Sequence, residues 1–228
     1  MNWLLSSSIG RKLIMSISGI FLVLFLLFHM SMNLVLVISA EAYNWIGEML
    51  GANWYAVAAT LILGAGVATH FIYGTWLTLL NQKARGSDKY AYSSKTETEW
   101  SAKNMYVLGV IILIGLLIHM WNFWYKMQFS ELFHLEGAIT QIADPVIQLF
   151  SNPMYSIVYI VWLGALWFHL THGVWSAFQT LGWNGKVWFS RLKIISNVVA
   201  TVIMIGFAIV PVFFTIKAFI TGSVWWGI

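Results

Sequence analysis

The chain has 228 residues, of which 60% are hydrophobic and 9% charged, against roughly 25% charged in an ordinary soluble domain; no water-soluble core needs that balance. Its net charge is +4 and it has no cysteine, which excludes disulfides, thiolate metal sites, iron–sulfur clusters held by this chain and the covalent attachment of c-type haem. Any cofactor must be held non-covalently, through nitrogen or oxygen.

In chain order, no Asp, Glu, Lys or Arg occurs from Leu13 to Ala40, from Met49 to Gln82, from Asn104 to Tyr125, from Pro145 to Gly185, or from Ile194 to Ile216. Each gap exceeds the roughly 20 residues with which a helix crosses about 30 Å of hydrocarbon, and none alternates as a membrane barrel strand does. Arg11 and Lys12 before an apolar run could open a secretory signal, but the run passes Ile38 without a small-residue cleavage site, so it reads as a retained helix. The pattern predicts an all-α integral membrane protein, one domain over 1–228 with five transmembrane helices near 13–39, 54–82, 104–126, 153–181 and 194–219.

Charge sets the expected orientation. With the N-terminus inside, Arg11, Lys12, Lys83, Arg85, Lys89, Lys95, Lys103, Lys186, Arg191 and Lys193 are cytoplasmic, and only Lys126 and Lys217 are outside, as the positive-inside rule requires. Glu41, Glu48, Glu131, Glu136 and Asp144 fall in the outer loops, and the C-terminus is outside. Trp45, Trp54 and Tyr55 on one side, and Trp183 and Trp188 on the other, suit an interfacial belt. Of the two longer loops, 83–103 is polar, whereas 126–144 carries a short apolar helical pattern that could lie on the membrane surface.

Helices one to four each carry a central histidine: His29, His70, His119 and His169. Taken singly, each could make an interhelical hydrogen bond; four such rings on four helices, with none on the fifth, point instead to a ligand set. An internal echo groups them. Leu26-Leu27-Phe28-His29-Met30 matches Leu116-Leu117-Ile118-His119-Met120, and the pattern H-x-x-x-G-x-W occurs as His70, Gly74, Trp76 and again as His169, Gly173, Trp175. Depth gives the same pairs. His29 and His119 lie past the midpoints of outward-running helices, and His70 and His169 past those of inward-running ones, at 1.5 Å of rise per residue. Two imidazoles from facing helices are an axial set for six-coordinate haem iron, suited to electron transfer, so haem between helices is expected. Gly74, Gly173, Gly66 and Gly115, each four residues from its histidine, either admit a flat macrocycle or serve helix packing. Arg11, Lys12, Lys103 and Lys193 lie on the correct side for inner propionates. His172 competes with His169, although the glycine spacing favours His169; His134 reads as a solvated loop residue. Glu48 and Glu41 could accept protons from a quinol near the outer pair.

Five helices with these histidines resemble the cytochrome b subunit of succinate:quinone oxidoreductases, that is, succinate dehydrogenase or fumarate reductase of the five-helix, dihaem type. The resemblance spans nearly the whole chain and rests on His29 with Met30 to Asn33, Ala40-Glu41-Ala42-Tyr43-Asn44, His70 with Tyr73-Gly74, His119-Met120-Trp121, and Phe168-His169 with Gly173, Trp175 and Ser176. It implies two haem b groups, the proximal one on His70 and His169 and the distal one on His29 and His119. It further implies a cytoplasmic flavoprotein and an iron–sulfur subunit as partners, a bacterial cytoplasmic (inner) membrane location, and a quinone, usually menaquinone, near the distal haem. This chain has none of the Gly-rich or Cys motifs that dicarboxylate chemistry would need. Moving one electron across the whole membrane field is worth about 2.3 kcal/mol per 100 mV, so transfer between the haems is coupled to membrane potential. Some members carry a glutamate two residues before the fourth ligand that serves proton compensation; Trp167 stands there, which predicts an electrogenic protein without that path. The competing readings are a cytochrome b subunit of a hydrogenase or formate dehydrogenase, and a metal or proton transporter. Against the transporter stand the scarcity of carboxylates in the spans and of proline-broken helices, Pro211 being the one proline well inside a span.

Overall fold

The computed structural model describes residues 3–51, 53–85, 100–136, 139, 141–183 and 185–226, and among these it is helical with no strand. In order they form α1 (Trp3–Ser6), α2 (Ser8–Ile38), α3 (Ala40–Met49), α4 (Trp54–Arg85), α5 (Trp100–Lys103) and α6 (Met105–His119). A π-helix (Met120–Phe129) and α7 (Ser130–Leu132) continue α6, and α8 (Ala143–Phe150), α9 (Pro153–Thr180) and α10 (Lys186–Thr221) follow. Five helices are long and apolar enough to cross a membrane: α2, α4, α6 with its continuation to Leu132, α9 and α10. The chain is thus a multi-pass membrane protein.

Helix ends follow local chemistry. Ser7 Oγ accepts from Gly10 N at 2.9 Å, Ser39 Oγ from Ala42 N at 3.1 Å, and Asn152 Oδ1 from Met154 N at 3.0 Å, with Pro153 in the first turn of α9. These caps satisfy N–H groups that a helix start leaves orphaned. At the far end of α10, Gly222 takes φ 68°, a left-handed stop that suits glycine. Four spans outrun the charge-free stretches, α4 reaching Arg85 and the third span Leu132. α2 starts at Ser8 rather than near 13, and α10 at Lys186 rather than near 194, so Lys186, Arg191 and Lys193 are helical. An absence of charge marks the hydrocarbon, whereas backbone hydrogen bonding continues through the headgroup layer.

α2, α4, α6 and α9 form a four-sided bundle. α2 packs on α4 and α9, and α6 on α9 and more lightly on α4, while the diagonal pairs α2–α6 and α4–α9 share almost no backbone contact. α10 lies outside, against α9 and α2. Association between helices in lipid depends on close van der Waals approach and hydrogen bonds rather than on water exclusion. The α9–α10 seam is accordingly built from small residues: Ala200 and Ser196 are fully buried, and Ser196 Oγ donates to the carbonyls of Leu170 at 2.9 Å and Thr171 at 2.8 Å. Gly206 makes room for Met30 of α2, whose thioether fills the space a Cβ would take.

At one end of the bundle, α3 and α8 close over the core. Asn44 donates to Gln141 Oε1 at 2.7 Å and accepts from Ala143 N at 2.8 Å, and Gln128 joins Thr60 Oγ1 and the Gly51 carbonyl. Both helices correct the sequence reading. Residues 40–49 read as loop, and no helix is expected between the 126–144 loop and the fourth span, where α8 buries Ala143, Val146 and Phe150 against Leu36, Tyr43, Tyr159, Val210 and Phe214. The spacing of those three apolar residues puts them on one face, and the bundle end offers that face an apolar floor. Lys126 and Lys217 belong to this end; Arg11, Lys12, Lys83, Lys103, Lys186, Arg191 and Lys193 belong to the other. Lys89 and Lys95 lie outside the described residues.

Candidate functional site: two histidine pairs across the bundle diagonals

His29 on α2 and His119 at the end of α6 face each other with ring centroids 5.8 Å apart and planes at 85°. His70 on α4 and His169 on α9 do the same at 6.2 Å and 70°. Each pair therefore bridges one diagonal of the bundle, where backbones stay apart and only side chains meet. The pairings are those given by depth and by the sequence echo. All four rings are half-buried.

The spacing can be tested against metal chemistry. Two imidazoles binding one metal from opposite sides, at about 2 Å each, hold their ring centroids roughly 6 to 6.5 Å apart. Both pairs lie at or just below that range. Among the described residues no group of three or more His, Asp or Glu converges, so side chains alone do not close a coordination sphere. Two axial ligands suffice only for a group that brings its own equatorial donors, as a haem does. The Nδ1 atoms of His119 and His169 are buried without a hydrogen-bond partner, which fits rings held by something other than the protein's polar groups.

The two sites differ in their walls. Phe25 stacks on His29 at 5.3 Å and Phe207 approaches it at 5.6 Å; Phe123, Trp162 and Tyr159 surround His119 at 5.1, 5.8 and 6.3 Å. Asn33 Nδ2 donates to the His29 carbonyl at 2.8 Å and lies 3.4 Å from its Nδ1, while Tyr43 from α3 donates to Asn33 Oδ1 at 3.3 Å. Burial pushes the Tyr43 phenol up to about 12. Asn122, in the π-helix directly after His119, donates to the Tyr159 hydroxyl at 3.2 Å. The π-helix that begins at Met120 is of a kind frequent at functional sites.

Around the other pair the neighbours are glycines and one serine. The space beside Gly19 of α2 is taken by the His70 ring, whose Cε1 would lie 3.1 Å from a Cβ there; Gly109 of α6 stands in the same relation to His169 at 3.9 Å. Ser18 Oγ lies 3.2 Å from His70 Nδ1. Gly74 and Gly173 receive Met15 and Met105, Gly66 receives Phe21, and Gly115 receives the indole of Trp162; helix packing accounts for these four glycines. At the basic end, Arg11 lies over Trp76 at 5.2 Å and Lys193 over Trp175 at 5.2 Å. Arg11 Nε is buried without a partner, whereas Lys12 and Lys103 are exposed.

The remaining candidates fall elsewhere. His172 turns against Trp175 at 4.8 Å, leaving His169 as the ring that meets His70. His134 is exposed in the turn after α7 at φ 51°. Glu41 and Glu48 are exposed on α3, at the same bundle end as His29 and His119; the buried face of α3 is Tyr43. Trp167 donates its indole N–H to Thr201 Oγ1 on α10 at 3.0 Å. The polar residues Ser18, Asn122 and Tyr159 escaped the sequence reading, and Asn33 entered it only within the motif after His29; amides within a turn of His29 and His119, in otherwise apolar spans, are the signal that could have found Asn122 and given Asn33 its place. Comparison with family models, with curated proteins and with solved structures gives no match.

Proposed function

We propose that the chain is a dihaem cytochrome b, with one haem b held by His29 and His119 and a second by His70 and His169. The observation that carries this reading is the pair of imidazole couples across the two diagonals, at centroid distances of 5.8 and 6.2 Å, in gaps that backbone does not fill. Haem held there would supply an iron that changes oxidation state by one electron. The chain's own part is to fix the rings, to wall the outer pair with Phe25, Phe123, Trp162 and Phe207, and to present Arg11 and Lys193 at the basic end for the carboxylates of the inner group.

Within that class we read the protein as the membrane anchor of a succinate:quinone oxidoreductase. The order and spacing of its histidine motifs support this, as does the separation of the two pairs along the bundle. Gly19, which touches the His70 ring, and His29 lie ten residues apart on one helix, on the order of 15 Å at 1.5 Å per residue, about half the hydrocarbon. The basic end would face the cytoplasm, where an iron–sulfur subunit and a flavoprotein dock. A quinone, menaquinone in this type, would bind at the end closed by α3 and α8, with Glu48 or Glu41 as its proton acceptor. Trp167, bonded to Thr201, leaves no carboxylate beside His169 for proton compensation, so turnover would be electrogenic. A reduced-minus-oxidised optical spectrum of the purified chain tests the reading: two low-spin b-type haems per chain are expected, and a colourless preparation dismisses it.

A further inference from the structure

Ser18 sits on α2 with its hydroxyl between two groups. It lies 3.0 Å from the Met15 carbonyl oxygen, one turn earlier on the same helix, and 3.2 Å from His70 Nδ1 on α4. A serine hydroxyl has one proton to donate, and a carbonyl oxygen can only accept. With the Ser18 proton on the Met15 carbonyl, in the back-bond common to a helical serine, the oxygen is left to accept from His70. In that arrangement the neutral ring carries its proton on Nδ1, which leaves the lone pair on Nε2. At the equivalent place in the other half of the bundle stands Leu108, buried and apolar, and the His169 Nδ1 has no hydrogen-bond partner.

We propose that Ser18 is a positioning residue of the inner site: by donating to Met15 and accepting from His70 Nδ1–H, it fixes His70 as the tautomer that offers Nε2 to a haem iron. The inner pair is thereby asymmetric, with one imidazole anchored through its second nitrogen and the other not. A ligating imidazole whose remote N–H is accepted by a neighbour is a more basic donor; it favours the more highly charged, oxidised metal and lowers the reduction potential of that haem alone. This inference rests on the dihaem reading for its redox consequence, but the tautomer belongs to the chain itself.

The test has two arms. In the full-length chain prepared without haem and labelled with 15N-histidine, long-range nitrogen–proton correlation should find His70 protonated at Nδ1, and Ser18→Ala should move population to the Nε2–H form. In the haem-loaded chain, a redox titration of Ser18→Ala should raise the inner midpoint by roughly a tenfold change in the oxidised-to-reduced ratio, about 59 mV for one electron, with the outer midpoint unmoved. Ser18→Thr, whose hydroxyl keeps the bond back to the preceding turn, should restore the wild-type value. Wild-type His70 protonated at Nε2, an unchanged midpoint in Ser18→Ala, or a shift that Thr fails to reverse would each overturn the proposal. Failure of the chain to bind haem would dismiss the dihaem reading while leaving the tautomer measurement to decide the role of Ser18.

Discussion

On the proposed dihaem reading, replacing His169 by Ala should remove one haem and leave the other. The two pairs share no side chain, and the ten-residue interval between Gly19 and His29 separates them by on the order of 15 Å, beyond the 7–10 Å within which substitutions couple. Nor does the fold depend on the His169 ring. Its Nδ1 has no partner, and α9 is fastened to α10 beside it by Ser196, whose bonds go to the backbone of Leu170 and Thr171. The expected result is a fall in haem content by half in a pyridine haemochrome assay, with the low-spin electron-resonance signal of the outer haem unshifted. His172→Ala, which loses a ring packed on Trp175, should keep both haems. Loss of both haems from His169→Ala would refute the independence of the sites, and loss of the inner haem from His172→Ala would move the ligand by a turn.

Gly115→Ala should destabilise the chain by about 1–3 kcal/mol through overpacking, because a Cβ there would overlap the indole of Trp162, which donates to the Ile112 carbonyl at 3.1 Å and walls His119; wild-type thermal stability in detergent would contradict the packing. Tyr43 makes stability fall in alkali. Its phenol is pushed from 10.0 up to about 12 by burial, so the unfolded chain releases this proton near 10 and the folded chain only near 12. The contribution is therefore complete below pH 10 and lost as pH rises toward 12, up to roughly 2–3 kcal/mol. Tyr43→Phe, compared with wild type by denaturant unfolding at pH 9 and 11, should show the shallower decline, and equal slopes would count against it. Glu48→Gln should slow quinol turnover with haem content retained, and undiminished turnover would remove Glu48 from the proposed quinone site.

How much could be read beforehand depended on the kind of constraint. The five spans were legible because a charge in hydrocarbon is costly enough to be nearly excluded, so gaps between charges mark them directly. The partners of His29 and His70 were legible because helical rise converts residue number into depth, and depth alone decides which rings can meet. Rotation about each helix axis was not legible. It determines that Ser18 rather than Ser16 faces His70, that Gly19 and Gly109 accommodate the rings, and that Gly74 and Gly173 face methionines instead. α3 was obscured because Glu41 and Glu48 break its apolar run, and α8 because most of it shares one charge-free stretch with α9, which a rule built on charge gaps does not divide.

The structure extends the internal echo beyond the motifs that first suggested it. Met15, Gly19, His29 and Met30 recur as Met105, Gly109, His119 and Met120 at one constant interval, and His70, Gly74 and Trp76 recur as His169, Gly173 and Trp175 at another. The contacts recur with them. Met15 fills the space at Gly74 as Met105 does at Gly173, and the His70 ring rests by Gly19 as that of His169 does by Gly109. α2 with α4, and α6 with α9, are thus two copies of one two-helix unit. Each unit places a histidine at each depth, and the diagonals join a histidine of one unit to its counterpart in the other. Neither unit can complete a site alone, so a single pairing of the two units creates both sites together and fixes the distance between them. Departures from the repeat then mark where the pairs are made unequal: Ser18 against Leu108 at His70 and His169, and Asn33 against Phe123, each four residues past its histidine, at His29 and His119.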